Sequence, residues 1–292
     1  MTKRRILVIG GDKRQFYLAQ KARIEQHTVA VYGFDNYHSP DDDGILRVKN
    51  LSESIREYDI ILLPVPMISK SGEINMPLSQ TSLFPEELEE TDLLGKIIFG
   101  GKIPKTFLSS ALKSGARIYD YMEREELAVL NAVPTAEGAL SVAMNESVTT
   151  LFGSKCLVVG YGRIGKILSR YLSSLGCSVT VSARKYSDLA YIKSNSMTAV
   201  RTGDISAYLS DFDIIFNTVP VLIFTENRLR HLKKDALLID LASAPGGIDF
   251  DAAKGLGVKV RIALGLPGKV APKSSGEIIW DTVKNIIEEE NL

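Results

Sequence analysis

The chain has few residues of the types that build metal sites and disulfide frameworks. Its 292 residues include only 2 cysteines and 3 histidines, and His27, His38 and His231 show no ligand spacing. Cys156 falls inside a predicted strand and Cys177 at the edge of the next, so both are expected to be packed thiols in a reducing compartment. These absences argue against a metal centre and against a disulfide-stapled secreted domain.

An excess of charge of one sign is also missing. Lys plus Arg and Asp plus Glu both number 35, so the net charge is zero and no basic field attracts nucleic acid. No continuous apolar run reaches the roughly 18 residues of a membrane span. The first strand begins almost at once, without the apolar stretch and cleavage site of a signal peptide. We therefore expect no nucleic-acid partner, no membrane span and a cytoplasmic location.

Short apolar runs alternate with helical patterns along the whole chain, in which 45% of residues are hydrophobic. The first series of candidate strands is 5–9, 28–32, 59–63, 96–99 and 116–119. The second series is 155–159, 178–182, 197–200, 213–217, 236–240 and 258–262. Such alternation predicts an α/β protein with two Rossmann-like, doubly wound parallel-sheet domains.

Two helical patterns set the predicted domain boundaries. Apolar residues at helical spacing follow Pro134, which predicts a long linker helix over 135–151. Near the C-terminus, Ser274 and Glu277 have the spacing of a capping box, and we expect the helix that follows to pack on the first domain. The prediction is a substrate or catalytic domain formed by residues 1–133 and 274–292, and an NADP-binding domain formed by residues 134–273. A cleft is expected between the two domains.

The most specific short motif is a glycine fingerprint, G-x-G-x-x-G, between a predicted strand and a predicted helix. It spans 160–165, with Gly160, Gly162 and Gly165 separated by Tyr161, Arg163 and Ile164. In a dinucleotide site the three glycines make the tight turn, admit the pyrophosphate and allow close helix packing. The phosphates then lie on free N–H groups at the helix N-terminus. The motif predicts a nucleotide cofactor; a glycine turn that serves packing alone is the alternative.

The end of the next strand indicates which nucleotide is bound. An NAD-preferring site places an Asp or Glu about 20 residues past the fingerprint. This chain has Ser182, Arg184 and Lys185 there instead. A hydroxyl followed by two cations favours a ribose 2′-phosphate, since guanidinium offers a planar fork of donors. We expect NADP(H); the alternative is that the two cations are ordinary solvated loop charges.

Two further segments close later strands of the same domain and are expected to shape the nicotinamide pocket, although their Pro and Gly content alone would indicate only turns. The cofactor-binding candidates in them are Asn217, Thr218, Val219, Pro220, Ser243 and Pro245.

The first domain also begins with a strand and glycines, but Asp12 with Lys13 and Arg14 replaces the phosphate-binding turn. We expect a Rossmann-like domain that has lost the nucleotide and holds the substrate. A long segment, 64–95, follows its third candidate strand. Segments of this length after a strand often serve as lids or binding loops, and a partner-contact surface is the alternative.

Five segments along the whole chain resemble the family of A-type subunits of dipicolinate synthase from spore-forming bacteria. They are IGGDKRQ at 9–15, MEREELAVLNAVPTAEG at 122–138, VVGYGRIG at 158–165, DLASAPGGIDF at 240–250 and GLPGKVAPKSSGEI at 265–278. The resemblance implies NADP-linked dehydrogenation of dihydrodipicolinate, or of its hydrated precursor, to dipicolinate in the mother cell. It also implies a second dipicolinate synthase subunit, the flavoprotein-like B-type subunit, as partner.

A substrate with two carboxylates needs cations, hydroxyls or N–H groups around it. Arg14, Thr135, Lys269 and Lys273 are therefore candidates for binding the carboxylates, and Glu137 is the candidate general base. Each has a structural alternative. Arg14 is then a surface charge, Thr135 a helix cap and the lysines solvated charges, while Glu137 is a first-turn acid stabilised by the helix dipole.

Two other functions stay open at the level of sequence. A two-lobed NAD(P)-dependent dehydrogenase of another small carboxylic acid has the same layout. The hydroxyacid enzymes of that layout use a late His as acid–base, however, and no His follows His231. A non-catalytic NADP-binding regulatory subunit would keep the same cofactor pocket. Oligomeric state is equally open, including a homo-oligomer.

Overall fold

Two compact units divide the chain, and the second is inserted into the first. The computed structural model describes residues 2–38 and 44–292. The first unit comprises Met1–Leu130 and Ala271–Leu292, and the second comprises Asn131–Val270. Both divisions fall three residues before the boundaries expected at 133 and 273.

Strands and helices alternate along both units. The first unit contains β1 (Arg5–Ile9), α1 (Lys13–Ile24), β2 (Thr28–Tyr32), β3 (Leu46–Arg47), α2 (Leu51–Ser54), β4 (Ile60–Leu62), α3 (Pro85–Glu89), β5 (Ile97–Gly100), α4 (Lys105–Lys113) and β6 (Arg117–Asp120). The long helix α5 (Glu125–Glu146) leads into the second unit. That unit continues with β7 (Lys155–Val159), α6 (Arg163–Ser174), β8 (Ser178–Ala183), α7 (Tyr186–Ser194), β9 (Thr198–Arg201), β10 (Ile214–Asn217), α8 (Glu226–Leu229), β11 (Leu237–Asp240), α9 (Phe250–Gly255), β12 (Lys259–Ile262) and α10 (Leu266–Val270). Helix α11 (Pro272–Glu289) completes the first unit.

Both sheets are parallel and have the same strand order. The first runs β3-β2-β1-β4-β5-β6, and the second, read from its other edge, runs β9-β8-β7-β10-β11-β12. The direction of winding reverses between β1 and β4, and again between β7 and β10. This confirms the predicted pair of Rossmann-like, doubly wound sheets. Ligands of such sheets bind outside the carboxyl ends of the strands at the reversal, the topological switch point.

The central strands are unbroken apolar runs because helices cover both faces of each sheet. Residues 6–9 of β1 are fully buried, and residues 156–159 of β7 are at most 1% exposed. Cys156 and Cys177 are free thiols, as the sequence predicts. Burial raises the pKa of both thiols, which keeps them protonated.

The long helix differs from its prediction. It starts at Glu125 rather than 135 and ends at Glu146 rather than 151, so Pro134 lies inside it. The proline removes one main-chain hydrogen bond. The helix continues nonetheless, because three alanines on one face, Ala136, Ala139 and Ala143, are fully buried in the core of the second unit. Taking Pro134 as a start signal was therefore wrong.

Among the described residues, only α5 has the length and composition of a membrane-spanning helix, and 44% of its most apolar window is buried. Its alanine face packs in the core of the second unit, and Glu137 lies near its middle. The apolar face of α5 therefore contributes to the core of the second unit.

The C-terminal helix α11 packs on α1, but it does not begin with the predicted capping box. Its N-cap is Ala271 and Pro272 stands in its first turn, so the capping box predicted at Ser274 and Glu277 is wrong. Proline suits that position because its fixed backbone angle and missing N–H cost nothing there. Farther along α11, the Trp280 indole donates to Glu25 Oε2 at 2.9 Å.

Gly276 allows the close approach of α11 to α1. A β-carbon there would overlap the carbonyl oxygen of Arg14 and lie 3.0 Å from the Leu18 nitrogen. We expect Gly276→Ala to lower the free energy of unfolding of the first unit by about 1–3 kcal/mol, the usual cost of overpacking. Trp280, the only tryptophan, lies on α11 and reports urea unfolding of this unit by fluorescence.

The matched control is Gly255→Ala, because a β-carbon at Gly255 meets no described atom within 4 Å. Equal midpoints for Gly276→Ala and the parent chain would contradict the packing described for the two helices.

Candidate functional site

The glycine turn (160–165) joins β7 to α6 in the second unit. Gly160 has a φ of +101°, and a β-carbon on it would overlap the Thr218 hydroxyl. Its N–H donates to the Ser182 carbonyl at 3.0 Å. A β-carbon on Gly165 would overlap the Gly160 carbonyl oxygen, so only glycine lets the helix begin directly behind the turn.

Gly162 is the N-cap of α6 and faces open space. No side chain of the described residues caps this helix, and a β-carbon on Gly162 would meet none of their atoms within 4 Å. Its φ of −82° is available to any residue, so conformation alone does not require glycine here. Arg163, which is exposed, and Ile164, half-buried, form the first turn. Open space before an uncapped helix N-terminus fits a pyrophosphate.

The segment after β10 lies beside the glycine turn, because β7 and β10 are neighbours. Thr218 donates its hydroxyl to the carbonyl of the last residue of β7 at 2.8 Å. Val219 is half-buried and Pro220 is exposed. Sequence reasoning did not select Val221 and Leu222, whose side chains are 60% and 54% exposed. Exposed apolar side chains at a switch point are suited to contact a ligand ring.

A buried carboxylate connects the loops that follow β10 and β11. Asp240 is 2% exposed and accepts hydrogen bonds from Asn217 Nδ2 at 2.8 Å, Ala242 N at 3.1 Å and Gly247 N at 3.1 Å. Asn217, fully buried, also donates to the Val219 carbonyl at 3.0 Å. The network fixes both loops relative to each other, and a β-carbon on Gly247 would overlap the Asn217 amide.

This network changes the role predicted for Asn217 and separates it from Ser243 and Pro245. Asn217 positions the loop backbone from inside, whereas Ser243 and Pro245 are exposed on the loop that the network holds at both ends. Asp240 was not among the predicted site residues. The signal that could have found it is an acid at the end of an apolar strand, followed directly by small residues.

Three residues at or after the end of β8 are predicted to bind a phosphate, and two of them are exposed. Ser182 is fully buried, and its hydroxyl accepts from Thr202 Oγ1 at 3.4 Å. A direct contact between this hydroxyl and a ribose phosphate was therefore wrongly predicted, because residues 181–183 are buried on both faces of the sheet. Arg184 and Lys185 follow the strand and are exposed. Within 2–38 and 44–292, neither side chain forms a hydrogen bond or ion pair.

The corresponding turn of the first unit is filled by protein. Gly11 N–H donates to the Asn75 carbonyl at 2.8 Å, and a β-carbon on Gly10 would overlap the Met76 side chain. The Asp12 carboxylate caps α1. The long loop after β4 thus takes the space and the donor that a pyrophosphate would use, and the capping carboxylate would repel an anion.

Arg14 lies at the start of α1, and two of its three guanidinium nitrogens already donate hydrogen bonds within the protein. Nε and Nη2 each donate to the Asp12 carboxylate at 2.9 Å, and Nη2 also donates to the Val65 carbonyl at 2.9 Å. The side chain is only 12% exposed, so it is not the surface charge considered as the alternative. Of its nitrogens, Nη1 alone has no acceptor among the described residues.

Glu137 and Lys269 lie on neighbouring helices of the second unit. Both side chains are exposed. A β-carbon on Gly138 would lie 2.9 Å from Leu266, so α5 and α10 are in direct contact beside these two residues. Glu137 lies in the interior of α5, which removes the alternative that it is a first-turn acid.

The other two candidates lie in different units. Thr135 donates its hydroxyl to the Asn131 carbonyl at 2.8 Å inside α5, so it is not a helix cap and its proton is already used. Lys273 is exposed in the first turn of α11, in the first unit.

Family comparison matches each unit separately. The N-terminal domain of the A-type subunit of dipicolinate synthase matches residues 5–122. The NAD binding domain of D-isomer specific 2-hydroxyacid dehydrogenases matches residues 131–248. The second match agrees with the glycine turn and makes the second unit an oxidoreductase domain for a nicotinamide cofactor.

Whole-chain comparison identifies the family. The A-type subunit of dipicolinate synthase from Bacillus subtilis (strain 168) is 33% identical over 295 residues, which covers 99% of this chain and 97% of that protein. The crystal structure of the dipicolinate synthase A chain from Bacillus subtilis has a TM-score of 0.86 at 31% identity, covering 100% and 98% of the two chains. A transhydrogenase from Sinorhizobium meliloti, at 15% identity, shares the fold alone, with a TM-score of 0.70 over 97% of this chain and 94% of its own. The chain belongs to the family of dipicolinate synthase A-type subunits.

Proposed function

We propose that this chain is the NADP-dependent dehydrogenase subunit of a dipicolinate synthase. Its reaction is the oxidation of dihydrodipicolinate to dipicolinate during sporulation, or the same oxidation with loss of water from its hydrated precursor. One observation carries the proposal: the glycine turn leaves open space before α6, next to a strand end with two cations and no carboxylate. The family match supplies the substrate class.

The residues of the second unit fit such a cofactor. The first turn of α6 binds the pyrophosphate, and Arg184 with Lys185 binds the 2′-phosphate. Val221 and Leu222 form an apolar wall that excludes water, while Ser243 and Pro245 lie on the loop after β11. When bound, the nicotinamide supplies the two-electron acceptor. The Asp240 network keeps these loops in position.

The chain's own contribution to chemistry is orientation and proton removal, because ring oxidation yields an aromatic product. Glu137 is the proposed base, since it is exposed and has no hydrogen-bond partner among the described residues. Lys269, on the neighbouring helix, binds a substrate carboxylate. Arg14 and Lys273 belong to the first unit and stay predictions from the sequence. Thr135 supports α5 instead, because its proton is used there.

Membership in this family implies a second protein in the dipicolinate synthase. We propose the flavoprotein-like B-type subunit of that enzyme as the partner and the mother-cell cytoplasm as the location.

The experiment that tests the function is an in situ assay. The unstable precursor is generated enzymatically, NADP⁺ is added, and dipicolinate absorbance is followed with this chain alone and with its partner. We expect product in the presence of this chain and a loss of about 100-fold or more in kcat for Glu137→Gln, the usual contribution of a general base. The same chain with Lys234→Gln, a change at the amino end of β11, is the matched control.

Tight NADPH binding without product in either mixture would contradict the catalytic proposal and favour a regulatory, NADP-binding subunit. Turnover of a different small carboxylic acid would show that the proposed substrate is wrong and that the chain is a dehydrogenase of that acid.

Gly162→Val should abolish binding of NADPH and NADH alike without unfolding the chain. The new side chain enters the open space that the pyrophosphate needs, and nothing described in the protein obstructs it. Calorimetric titration measures the binding. Gly255→Val, the control, also adds a side chain in open space and should bind both cofactors normally. Retained binding in Gly162→Val would place the pyrophosphate elsewhere.

Arg184→Asp should weaken NADPH binding by about 10- to 100-fold while NADH binding changes little. Hydrogen bonds to a charged group contribute about 1.5–3 kcal/mol, and only NADPH carries the 2′-phosphate. Lys234→Asp makes the same charge change at the amino end of the sheet and serves as the control. Equal losses for both cofactors would remove Arg184 from the 2′-phosphate site.

A further inference from the structure

A third cation joins Arg184 and Lys185 at the same edge of the second sheet. β8 and β9 are parallel neighbours, and Ala183 is in register with Arg201, the last residue of β9. Neighbouring strands lie about 4.8 Å apart. Arg201 therefore lies next to the residue that precedes Arg184, although the two arginines are 17 positions apart in sequence.

Tyr186 fixes the guanidinium of Arg201. Nη1 donates to the Tyr186 hydroxyl at 2.9 Å, and the guanidinium carbon lies 5.2 Å from the ring centroid. Tyr186 is 72% exposed, so this contact adds little to the core of the unit. Its effect is to orient the guanidinium, and Nε and Nη2 keep their protons free of acceptors among the described residues. Arginine suits this arrangement because its plane stacks on a ring while its edge donates.

The backbone that carries Arg201 is held from its other side. Thr202 Oγ1 donates to the buried Ser182 hydroxyl, and Arg228 Nη2 donates to the carbonyls of Thr202 and Gly203 at 3.3 and 3.2 Å. The end of β9 is thus tied to the end of β8. Arg228 thus holds the backbone that follows Arg201, and Arg201 has a defined position beside the end of β8.

No carboxylate of the described residues neutralises these cations. The acids nearest in sequence are Asp188 and Asp204, and neither forms an ion pair in the described part of the chain. Clustered, unpaired cations favour a dianionic group, and the ribose at the end of β8 carries one only in NADP(H).

We propose that Arg201 is a specificity-determining residue that binds the 2′-phosphate of NADP(H) together with Arg184, an assignment that rests on the NADP dependence proposed above. Tyr186 is a positioning residue that acts through Arg201. The two arginines approach the phosphate from neighbouring strands, and Nε and Nη2 of Arg201 supply the donors.

Titration of the full chain with NADPH and with NADH tests the assignment. Arg201→Ala should weaken NADPH binding about tenfold or more and NADH binding less than about twofold, the range expected for charged hydrogen bonds to a group that only NADPH carries. Tyr186→Phe keeps the ring and removes the hydroxyl, so a smaller loss of a few fold is expected for NADPH alone. Arg201→Lys should recover part of the affinity. Arg230→Ala, which removes an exposed arginine paired with Glu226 on α8, is the control and should change neither affinity.

Three results would overturn the assignment. Equal losses for both cofactors in Arg201→Ala would place the side chain against the adenine. No loss, while Arg184→Asp still discriminates, would exclude Arg201 and leave the NADP proposal intact. Equal affinity of the parent chain for NADPH and NADH would contradict both. If Arg201→Ala fails to fold, the Tyr186→Phe titration decides, because it retains the aromatic ring and the cation.

Discussion

The close packing of α6 on the turn after β7 is the constraint on which the cofactor site depends. Because a β-carbon on Gly165 would overlap the Gly160 carbonyl, only glycine lets the helix begin at the switch point of the sheet. Its N-terminus then faces open space at Gly162, and a helix N-terminus favours negative charge. The Asp240 network and the exposed cations follow other strands of the same parallel sheet.

The first unit shows what happens when the same topology lacks that space. Its strand order is identical, and its first strand also ends in two glycines. The loop after β4, however, places Met76 against Gly10 and uses the N–H of Gly11, while Asp12 caps the helix. The fold alone therefore does not determine whether a unit can bind a nucleotide. In the first unit, the loop that covers the switch point determines it. The two units are related in architecture and different in what their turns can accept.

Most of the fold could be predicted from the sequence, because strand alternation and the glycine turn are local signals. What escaped prediction depends on contacts distant in sequence. Burial of its alanine face extends α5 through Pro134, and Asp240 meets Asn217 across 23 positions. Ser182 is buried because both faces of the sheet are covered at the end of β8 and Thr202, 20 positions later, packs against it. Arg201 lies beside the end of β8 only through the pairing of β9 with β8.

Calorimetric titration of the parent chain with NADPH tests the central claim most directly, because it counts sites. Two Rossmann sheets of the same order, with only one open glycine turn among the described residues, predict one cofactor per chain. A stoichiometry of two would contradict the account, since the turn at Gly10 and Gly11 would then have to bind a nucleotide despite the loop that covers it.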